Sequence, residues 1–457
     1  MVHMASINVK RLVIIMPFYG KEYLIDVEQR KEQRQEQERS ARDGQKETIL
    51  ETLERRVEEF GLKEEAARLI EQAKECLNQG AAGISEACSI IEQLHVKIFE
   101  KLLKERLGAE ETKRMDMEYH ILLPNCPLRV PIMFDGPPAG KVRKLSFYRL
   151  ACRKCLPTIH FIGGHLYVRP QLTGGYVFVH RIHKGDAVRL VMKTVVSDAD
   201  REKLEKTLVL HIDGTGISLR SAIDAVEKFV DTGGDGPMAL LGLRPLAGYW
   251  GISPWRKIIE LWENYLIARK MLDLDVPLPD AQCGLWCLRG NVAHSLVDDL
   301  VAHRFELELD IVLELLLKGY VFDYVDVELE DLDDSGLQGV SGPEEELYKW
   351  APLHADKLSL IVSKLGIDGD ELAAIFKGFQ EWLLHNKDSI GCSFTDKEIQ
   401  RLLNGYRGWS FEFVRRTLSY LPLVEEQAVV SRRKQMALQR LRELVRSIWG
   451  MHGAEAS

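Results

Sequence analysis

The pattern of apolar residues changes near Met117, and this change limits the folds that the chain can adopt. Before it, apolar residues such as Leu50, Leu53, Val57 and Phe60 recur at the spacing of one helix face. After it, short stretches rich in β-branched and aromatic residues are separated by Gly-Gly and Lys-Gly-Asp turns, a pattern typical of strands. The two patterns occupy separate blocks of the chain, so we predict an α+β fold.

We predict a helical N-terminal unit, a β-rich domain and then two mainly helical blocks. The length of 457 residues corresponds to roughly two to four domains. The predicted boundaries place a strand and a charged helical unit at 1–115, the β-rich domain at 116–235, a helical domain at 236–330, an acidic linker at 331–343, and a helical domain with a basic terminal helix at 344–457.

Individual elements follow from the same patterns. A strand is predicted at Arg11–Tyr19, where an apolar run reaches Gly20. Gly80-Ala81-Ala82-Gly83 predicts a turn between two helices. From Met238 onward, only helices are predicted apart from the acidic linker. The remaining elements are helices at Lys63–Asn78, Ile84–Leu107, Asp198–Thr207 and Ser218–Val230, and strands at His160–Ile162, His165–Pro170, Tyr176–Ile182, Ala187–Val195 and Leu208–Ile212.

Charge, cysteine usage and hydropathy narrow the classes of function. The formal net charge of −8 repels phosphate, so a nucleic-acid role requires local basic patches. The eight cysteines are spread thinly over the chain, unlike a secreted disulfide framework, which favours a reducing compartment and a cytoplasmic location. No apolar run approaches the roughly 20 residues that a membrane span needs, so no membrane partner is expected.

Four of the cysteines form two short pairs. Cys152 and Cys155 make a CxxC motif, and Cys283 and Cys287 make a looser pair. Four thiolates could close a tetrahedral structural zinc site. The alternative is that these are ordinary buried cysteines, because structural sites usually combine two tight pairs and these two lie far apart in the chain.

A strand–loop–helix segment carries another candidate site. The strand Leu208–Ile212 leads into Asp213-Gly214-Thr215-Gly216, and a helix follows. An acidic residue at a strand end, with glycines before a helix N-terminus, can hold a metal or a phosphate. The segment is not a P-loop, because no Lys-Ser/Thr pair follows the glycines. Asp-Gly is also a common turn dipeptide, so an ordinary turn is the alternative.

The stretch Val429–Trp449 is the clearest basic element. An apolar stripe that includes Leu441 and Val445 would pack one side of this helix and leave cations for phosphate on the other. We predict that it contacts DNA or RNA, and the alternative is a solvated helix face. The cations are Arg432, Arg433, Lys434, Arg440, Arg442 and Arg446.

Three segments between residues 223 and 320 carry a family pattern. The first is Met238–Arg244, which contains Leu-Leu-Gly and is followed by an aromatic pair. The second runs from Trp255 through Asn264-Tyr265 to Cys287, and the third is Ser295–Ala302. In this order the segments resemble the helical half of the CRISPR spacer-acquisition integrase family.

The resemblance implies a site whose metal ligands are mostly replaced. Active members arrange Glu, His and carboxylates around a divalent cation, Mg²⁺ or Mn²⁺, that activates a 3′-hydroxyl. Here Arg244 stands at the Glu position, Cys287 at the His position and Ala302 at the last acid, while Asp299 is retained. A guanidinium repels a divalent cation but binds phosphate well. The resemblance therefore implies a relative that binds nucleic acid without catalysis.

His294 offers two catalytic alternatives. His294 and Asp298 are four residues apart, so on one helix face they could bind a metal, with Asp299 as a further ligand. The stretch from Arg289 to His294 also resembles the Arg-x4-His motif of HEPN ribonucleases. That resemblance implies an Arg that holds the phosphate and a His that moves a proton without metal. The remaining interpretation is a surface histidine hydrogen-bonded to a nearby Asp.

Together these features predict a non-catalytic nucleic-acid-binding protein, related to spacer-integration proteins, that acts in a defence or mobile-element complex. The expected partners are DNA or RNA and other protein subunits, with a homodimer as a further option. No cofactor is expected for this function; Mg²⁺ or Mn²⁺ belongs to the nuclease alternative and Zn²⁺ to the four cysteines. The two alternative functions are a nuclease centred on His294 and an interaction scaffold without nucleic-acid binding.

Overall fold

The protein is a mixed α/β protein that forms two compact units. Unit 1 takes its residues from 1–236, 285–297 and 328–335, and unit 2 takes its residues from 237–284, 298–327 and 336–457. Both units are therefore discontinuous in sequence. The computed structural model describes residues 9–17, 57–58, 63–78, 84–122, 142–143, 158–162, 165–169, 177–181, 184–197, 200–213, 217–232, 236–244, 254–302, 306–328, 343–392, 394–418 and 432–450.

The sheet of unit 1 is centred on β1 (Arg11–Pro17), with β2 (Asp116–Leu122) on one side and β7 (Thr207–Ile212) on the other. Next to β2 lies β3 (Val142–Arg143), and β9 (Leu285–Arg289) pairs with the far side of β7. All of these pairs are parallel except β7 with β9. Every residue of β7 is buried, as expected for a parallel strand that is covered on both faces.

Seven helices of unit 1 lie within the described residues. The helix α4 packs against β1 through an apolar face of Val188, Val191, Met192 and Val195, whose spacing is helical. The helices are α1 (Lys63–Asn78), α2 (Ile84–Leu107), α3 (Ala109–Arg114), α4 (Lys184–Ser197), α5 (Arg201–Glu205), α6 (Leu219–Thr232) and α8 (Gly290–Leu296).

A separate antiparallel sheet also belongs to unit 1. It is formed in sequence order by β4 (Thr158–Ile162), β5 (His165–Arg169) and β6 (Val177–Arg181). The register between β5 and β6 shifts at Leu166/Tyr167. Short strands in this region are what the glycine-punctuated sequence predicts.

Unit 2 contains a parallel pair of strands, β8 (Ala239–Leu243) and β10 (Phe322–Asp326), among long helices. Its aromatic core lies between α7 and α11, where Trp262 meets Phe376 edge to face at 4.9 Å between ring centroids. The helices are α7 (Pro254–Ile267), which continues as a π-helix over Ala268–Leu272, α9 (Leu307–Lys318), α10 (Pro343–Leu365), α11 (Gly369–Asn386), α12 (Asp396–Leu418) and α13 (Arg432–Ile448).

The last helix, α13, is anchored to the rest of unit 2 by specific contacts. Gly319 ends α9 at φ +69°, and a Cβ atom there would lie 2.7 Å from the Cα atom of Lys434. Only glycine allows both this backbone conformation and this close approach. Trp449 donates from Nε1 to the carbonyl of Pro277 at 2.8 Å. The helix is therefore an integral part of unit 2.

The structure confirms the predicted helices at Lys63–Asn78 and Ile84–Leu107 and the strand that begins at Arg11. The strand predicted at Ala187–Val195 is wrong, because this segment lies within α4. The prediction of helices alone after Met238 is also wrong, because β8, β9 and β10 lie there. Residues 331–342 of the predicted linker lie outside the described residues. Within the described residues, no helix is long and apolar enough to cross a membrane.

Candidate functional site

The strand order of unit 1 reverses at β1. The chain adds β2 and β3 on one side of β1, and later adds β7 and β9 on the other. Because β1 and β7 are parallel neighbours, their carboxyl ends lie at the same edge of the sheet. In open α/β sheets, ligands bind in the crevice outside this edge at the point of reversal. The ends of β1 and β7 therefore form the first candidate site.

Asp213, directly after β7, supplies a carboxylate to this edge. Its Oδ2 atom accepts a 2.8 Å hydrogen bond from Nζ of Lys184, the first residue of α4. The lysine side chain is 2% exposed, whereas the Asp213 side chain is 27% exposed. The Oδ1 atom of Asp213 has no hydrogen-bond partner among the described residues. The site thus holds a carboxylate that is fixed through one oxygen, while its second oxygen is buried and has no hydrogen-bond partner among the described residues.

A stacked pair of side chains fixes the end of β7 just before the site. His211 stacks on Trp286 of β9, with ring centroids 4.8 Å apart and planes 3° from parallel. These residues are cross-strand partners in the antiparallel register, and both are buried. Cross-strand pairs of this kind stabilise a sheet locally. The predicted loop Gly214-Thr215-Gly216 lies outside the described residues, so its role in binding phosphate stays a prediction.

Unit 2 holds a second concentration of charge, buried beside the end of β8. Arg244 follows β8 and donates to Asp280 twice, from Nε to Oδ2 at 2.7 Å and from Nη2 to Oδ1 at 2.9 Å. Its Nη2 atom also lies 3.3 Å from Oε2 of Glu260. Arg256 donates from Nε to the other oxygen of Glu260 at 2.8 Å. Arg244, predicted to contact nucleic acid, is therefore engaged by two carboxylates of its own unit.

The polar network continues between α7 and α10. Glu263 accepts a 2.8 Å bond from the amide of Gln282 at Oε2 and pairs through Oε1 with Nδ1 of His354 at 2.9 Å. Lys357 donates to the amide oxygen of Gln282 and lies 4.0 Å from carboxylate oxygens of Glu260 and Glu263. Buried charges of this kind depend on one another for compensation. We interpret the network as one that specifies how α7 and α10 pack.

Lys257 of α7 is a cation at the edge of this network. Burial lowers the pKa of Lys257 from 10.5 to about 8. Asp280 and Glu260 oppose this shift, and the positive charge of Arg244 adds to it. The charged form of Lys257 is therefore less stable in the folded protein than in water.

The cationic side chains of the basic helix α13 differ in exposure: some face solvent and others contact the rest of unit 2. Arg440 and Arg446 are exposed. Arg442 donates from Nε to the carbonyl of Leu272 at 2.6 Å and so caps the end of the π-helix. Burial lowers the pKa of Lys434, which packs beside Gly319. The side chains of Arg432 and Arg433 lie outside the described residues.

The residues proposed for the His294 alternatives lie at the end of β9 and beyond. Arg289 is the last residue of β9, and its Cζ atom lies 5.9 Å from the ring centroid of Phe229. His294 is exposed on α8, which ends at Leu296, so Asp298 lies after the helix and the expected single helix face is wrong. Asp299 pairs with Lys318 at 2.5 Å. No group of three His, Cys, Asp or Glu residues suited to a metal ion is found within the described residues.

The four described cysteines are buried. Cys283 and Cys287 are buried, and neither forms a disulfide with another described residue. Burial raises the pKa of the Cys287 thiol far above its usual value, which disfavours the thiolate that a zinc ion binds. Cys152 and Cys155 lie outside the described residues, so the four-cysteine zinc site stays a prediction.

No protein-family model matches the chain, and no curated protein matches it either. The candidate site is therefore defined by its geometry alone. Asp213 was a candidate from the sequence, but Lys184 was not, because its partner lies 29 residues away. A lysine at the start of a helix with one apolar face was a signal that the sequence offered. The carboxylates that engage Arg244 were also missed, because nothing local to Asp280 or Glu260 marks them as partners.

Proposed function

We propose that the protein binds a nucleotide at the edge formed by the ends of β1 and β7, through the carboxylate of Asp213. The observation that carries the proposal is the Oδ1 atom of Asp213, which is buried without a hydrogen-bond partner among the described residues at the point where the strand order reverses. Doubly wound α/β sheets bind mononucleotides and dinucleotides at such points. The acidic strand end predicted from the sequence lies at this edge.

A divalent cation would join Asp213 to the phosphates of the nucleotide. Mg²⁺ is usually held by one or two carboxylates together with oxygens of a bound phosphate, rather than by a complete cage of protein ligands. An ion in this position supplies positive charge to a diphosphate leaving group. The activity that fits best is transfer of a group, such as a sugar, from a nucleoside diphosphate to an acceptor.

Asp213→Asn should weaken the binding of a nucleoside diphosphate by at least about tenfold in the presence of Mn²⁺. The amide keeps the shape of the side chain but removes the charge that attracts the cation. Isothermal titration calorimetry with ADP, GDP, UDP and CDP, each with Mn²⁺, measures the effect. Turnover is then assayed with UDP-glucose and GDP-mannose as group donors.

The matched control is Asp231→Asn, which changes an exposed carboxylate in the last turn of α6. This variant should bind the same nucleotide with unchanged affinity. The proposal fails if wild-type protein binds none of the four nucleotides, or if both variants bind equally well.

We also propose, as the second candidate, non-catalytic binding of DNA or RNA through α13, in a complex with other protein subunits of a defence or mobile-element system. The observation that favours it is the exposure of Arg440 and Arg446 on one basic helix. Two cations six residues apart can contact neighbouring phosphates of one strand. This function uses residues of unit 2, whereas the proposed nucleotide binding uses residues of unit 1.

Arg440→Glu combined with Arg446→Glu should lower the affinity for a 20-nucleotide strand by about tenfold or more at 50 mM salt, because phosphate contacts are strongest at low salt. Fluorescence anisotropy with labelled DNA and RNA strands measures this affinity. The control is Arg201→Glu, which reverses a side chain of unit 1 that is 91% exposed. Equal affinity in wild type, the double variant and the control contradicts binding through α13.

A further inference from the structure

Lys184 carries a charge in a place where charge is costly. Its side chain is 2% exposed, and burial of an ammonium is unfavourable unless a partner compensates the charge. Asp213 provides that compensation through the 2.8 Å bond from Nζ to Oδ2. The lysine and the carboxylate therefore hold each other in place at this edge.

The rigid setting of Lys184 determines where the carboxylate lies. Lys184 begins α4, and the buried residues Val188, Val191 and Met192 fix this helix against the sheet. On the other side, the stacked His211 and Trp286 fix the strand that leads to Asp213. A bond between two fixed elements leaves the Asp213 carboxylate little rotational freedom. Its Oδ1 atom is consequently presented in one direction, which is the preorganisation that binding sites require.

The charge of Lys184 also changes what the edge can bind. A lone carboxylate repels a phosphate, whereas a carboxylate paired with an ammonium is close to neutral overall. An ammonium is a common phosphate-binding charge in proteins. A paired Asp213 can therefore hold a cation with one oxygen while a phosphate approaches the same edge.

We propose that Lys184 is a positioning residue that fixes Asp213 and offsets the repulsion between this carboxylate and a phosphate, so that the edge accepts a ligand with phosphates rather than an uncharged nucleoside. This inference rests on the proposed nucleotide-binding function. It adds a determinant of specificity: the preference for the phosphorylated form depends on Lys184, while contacts to the base and the ribose do not.

The test compares Lys184→Met and Lys184→Arg with wild type, using a nucleoside diphosphate and its parent nucleoside, both with Mn²⁺, in calorimetry. Lys184→Met should weaken diphosphate binding by about tenfold or more while the affinity for the nucleoside changes by less than about threefold. Lys184→Arg keeps the charge and should restore diphosphate binding to within about threefold of wild type. Lys193→Met, which changes an exposed lysine of the same helix, is the control and should change neither affinity.

A structural role alone would give a different result. If Lys184→Met lowers the affinity for the diphosphate and for the nucleoside equally, or changes neither affinity, the inference is overturned. If Lys184→Met does not fold, the double variant Lys184→Met with Asp213→Asn removes both charges together, which avoids an unpaired buried charge. That variant should keep nucleoside binding and lose the preference for the diphosphate, and a retained preference overturns the inference. If wild-type protein binds no nucleotide, the proposed function is contradicted, and the inference with it.

Discussion

Replacing Arg244 with methionine should lower the free energy of unfolding by about 3–5 kcal/mol, the usual cost of removing one partner from a buried ion pair. Arg244 makes two hydrogen bonds to Asp280 and also reaches Glu260, and both carboxylates are 3% exposed. Without the guanidinium, the Asp280 carboxylate loses both hydrogen bonds from Arg244 in a site where it is 3% exposed. Urea denaturation at pH 7, followed by tryptophan fluorescence, measures the change.

The control for this experiment is Arg269→Met. Arg269 also pairs with two carboxylates, those of Asp273 and Asp275, but all three side chains are substantially exposed. Exposed pairs contribute about 0–1 kcal/mol, so this variant should be nearly as stable as wild type. Combining Arg244→Met with Asp280→Leu should recover much of the loss, because it removes the uncompensated charge. Similar losses for the two arginine variants would contradict the buried ion pair.

Lys257→Met should stabilise the protein at neutral pH, by about 3–4 kcal/mol. The pKa of Lys257 falls from 10.5 to about 8 on folding, a difference of about 2.5 units at about 1.4 kcal/mol per unit. The folded state thus binds this proton more weakly than the unfolded state. The resulting penalty is complete below pH 8, declines between pH 8 and 10.5 as the folded state loses the proton first, and is absent above that range.

The pH dependence separates this effect from a change in packing. The stability advantage of Lys257→Met should be largest at pH 6–7 and should shrink as pH rises toward 10, as measured by thermal unfolding across this range. Lys113→Met provides the control, because Lys113 is 70% exposed, and its variant should match wild type at every pH. A destabilised Lys257→Met variant at pH 7 would show that the lysine contributes more through its contacts than its burial costs.

The sequence predicted the long helices well because their apolar residues repeat over several turns. In α1 and α2 the observed bounds are the predicted ones. The strand predicted at Ala187–Val195 was wrong because the β-branched residues of this segment favour a strand. The buried residues Val188, Val191, Met192 and Val195 nevertheless have helical spacing. β8 was missed because five apolar residues are too few to separate a strand from a buried helix turn by periodicity.

The candidate site could be predicted only in part. Asp213 follows from local sequence, because an Asp-Gly step after an apolar strand marks the end of that strand. Its relation to Lys184 depends on the order of strands in the sheet, which nothing near either residue specifies. For Arg244 the sequence prediction went further than the structure supports. Its charge predicted a contact with nucleic acid, but the guanidinium forms an ion pair with Asp280, which lies 36 residues later in the chain.

The placement of β9 determines how the protein can be divided for experiments. Residues 285–297 belong to unit 1, although the residues on both sides of them in sequence, 237–284 and 298–327, belong to unit 2. A fragment that stops at Gly236 would lack β9 and leave one edge of β7 without its hydrogen-bonding partner. Uncovered strand edges recruit other chains and promote aggregation. No single cleavage releases an intact unit, so truncation is a poor way to assign activities to either one, and point variants in the whole chain are the better tool.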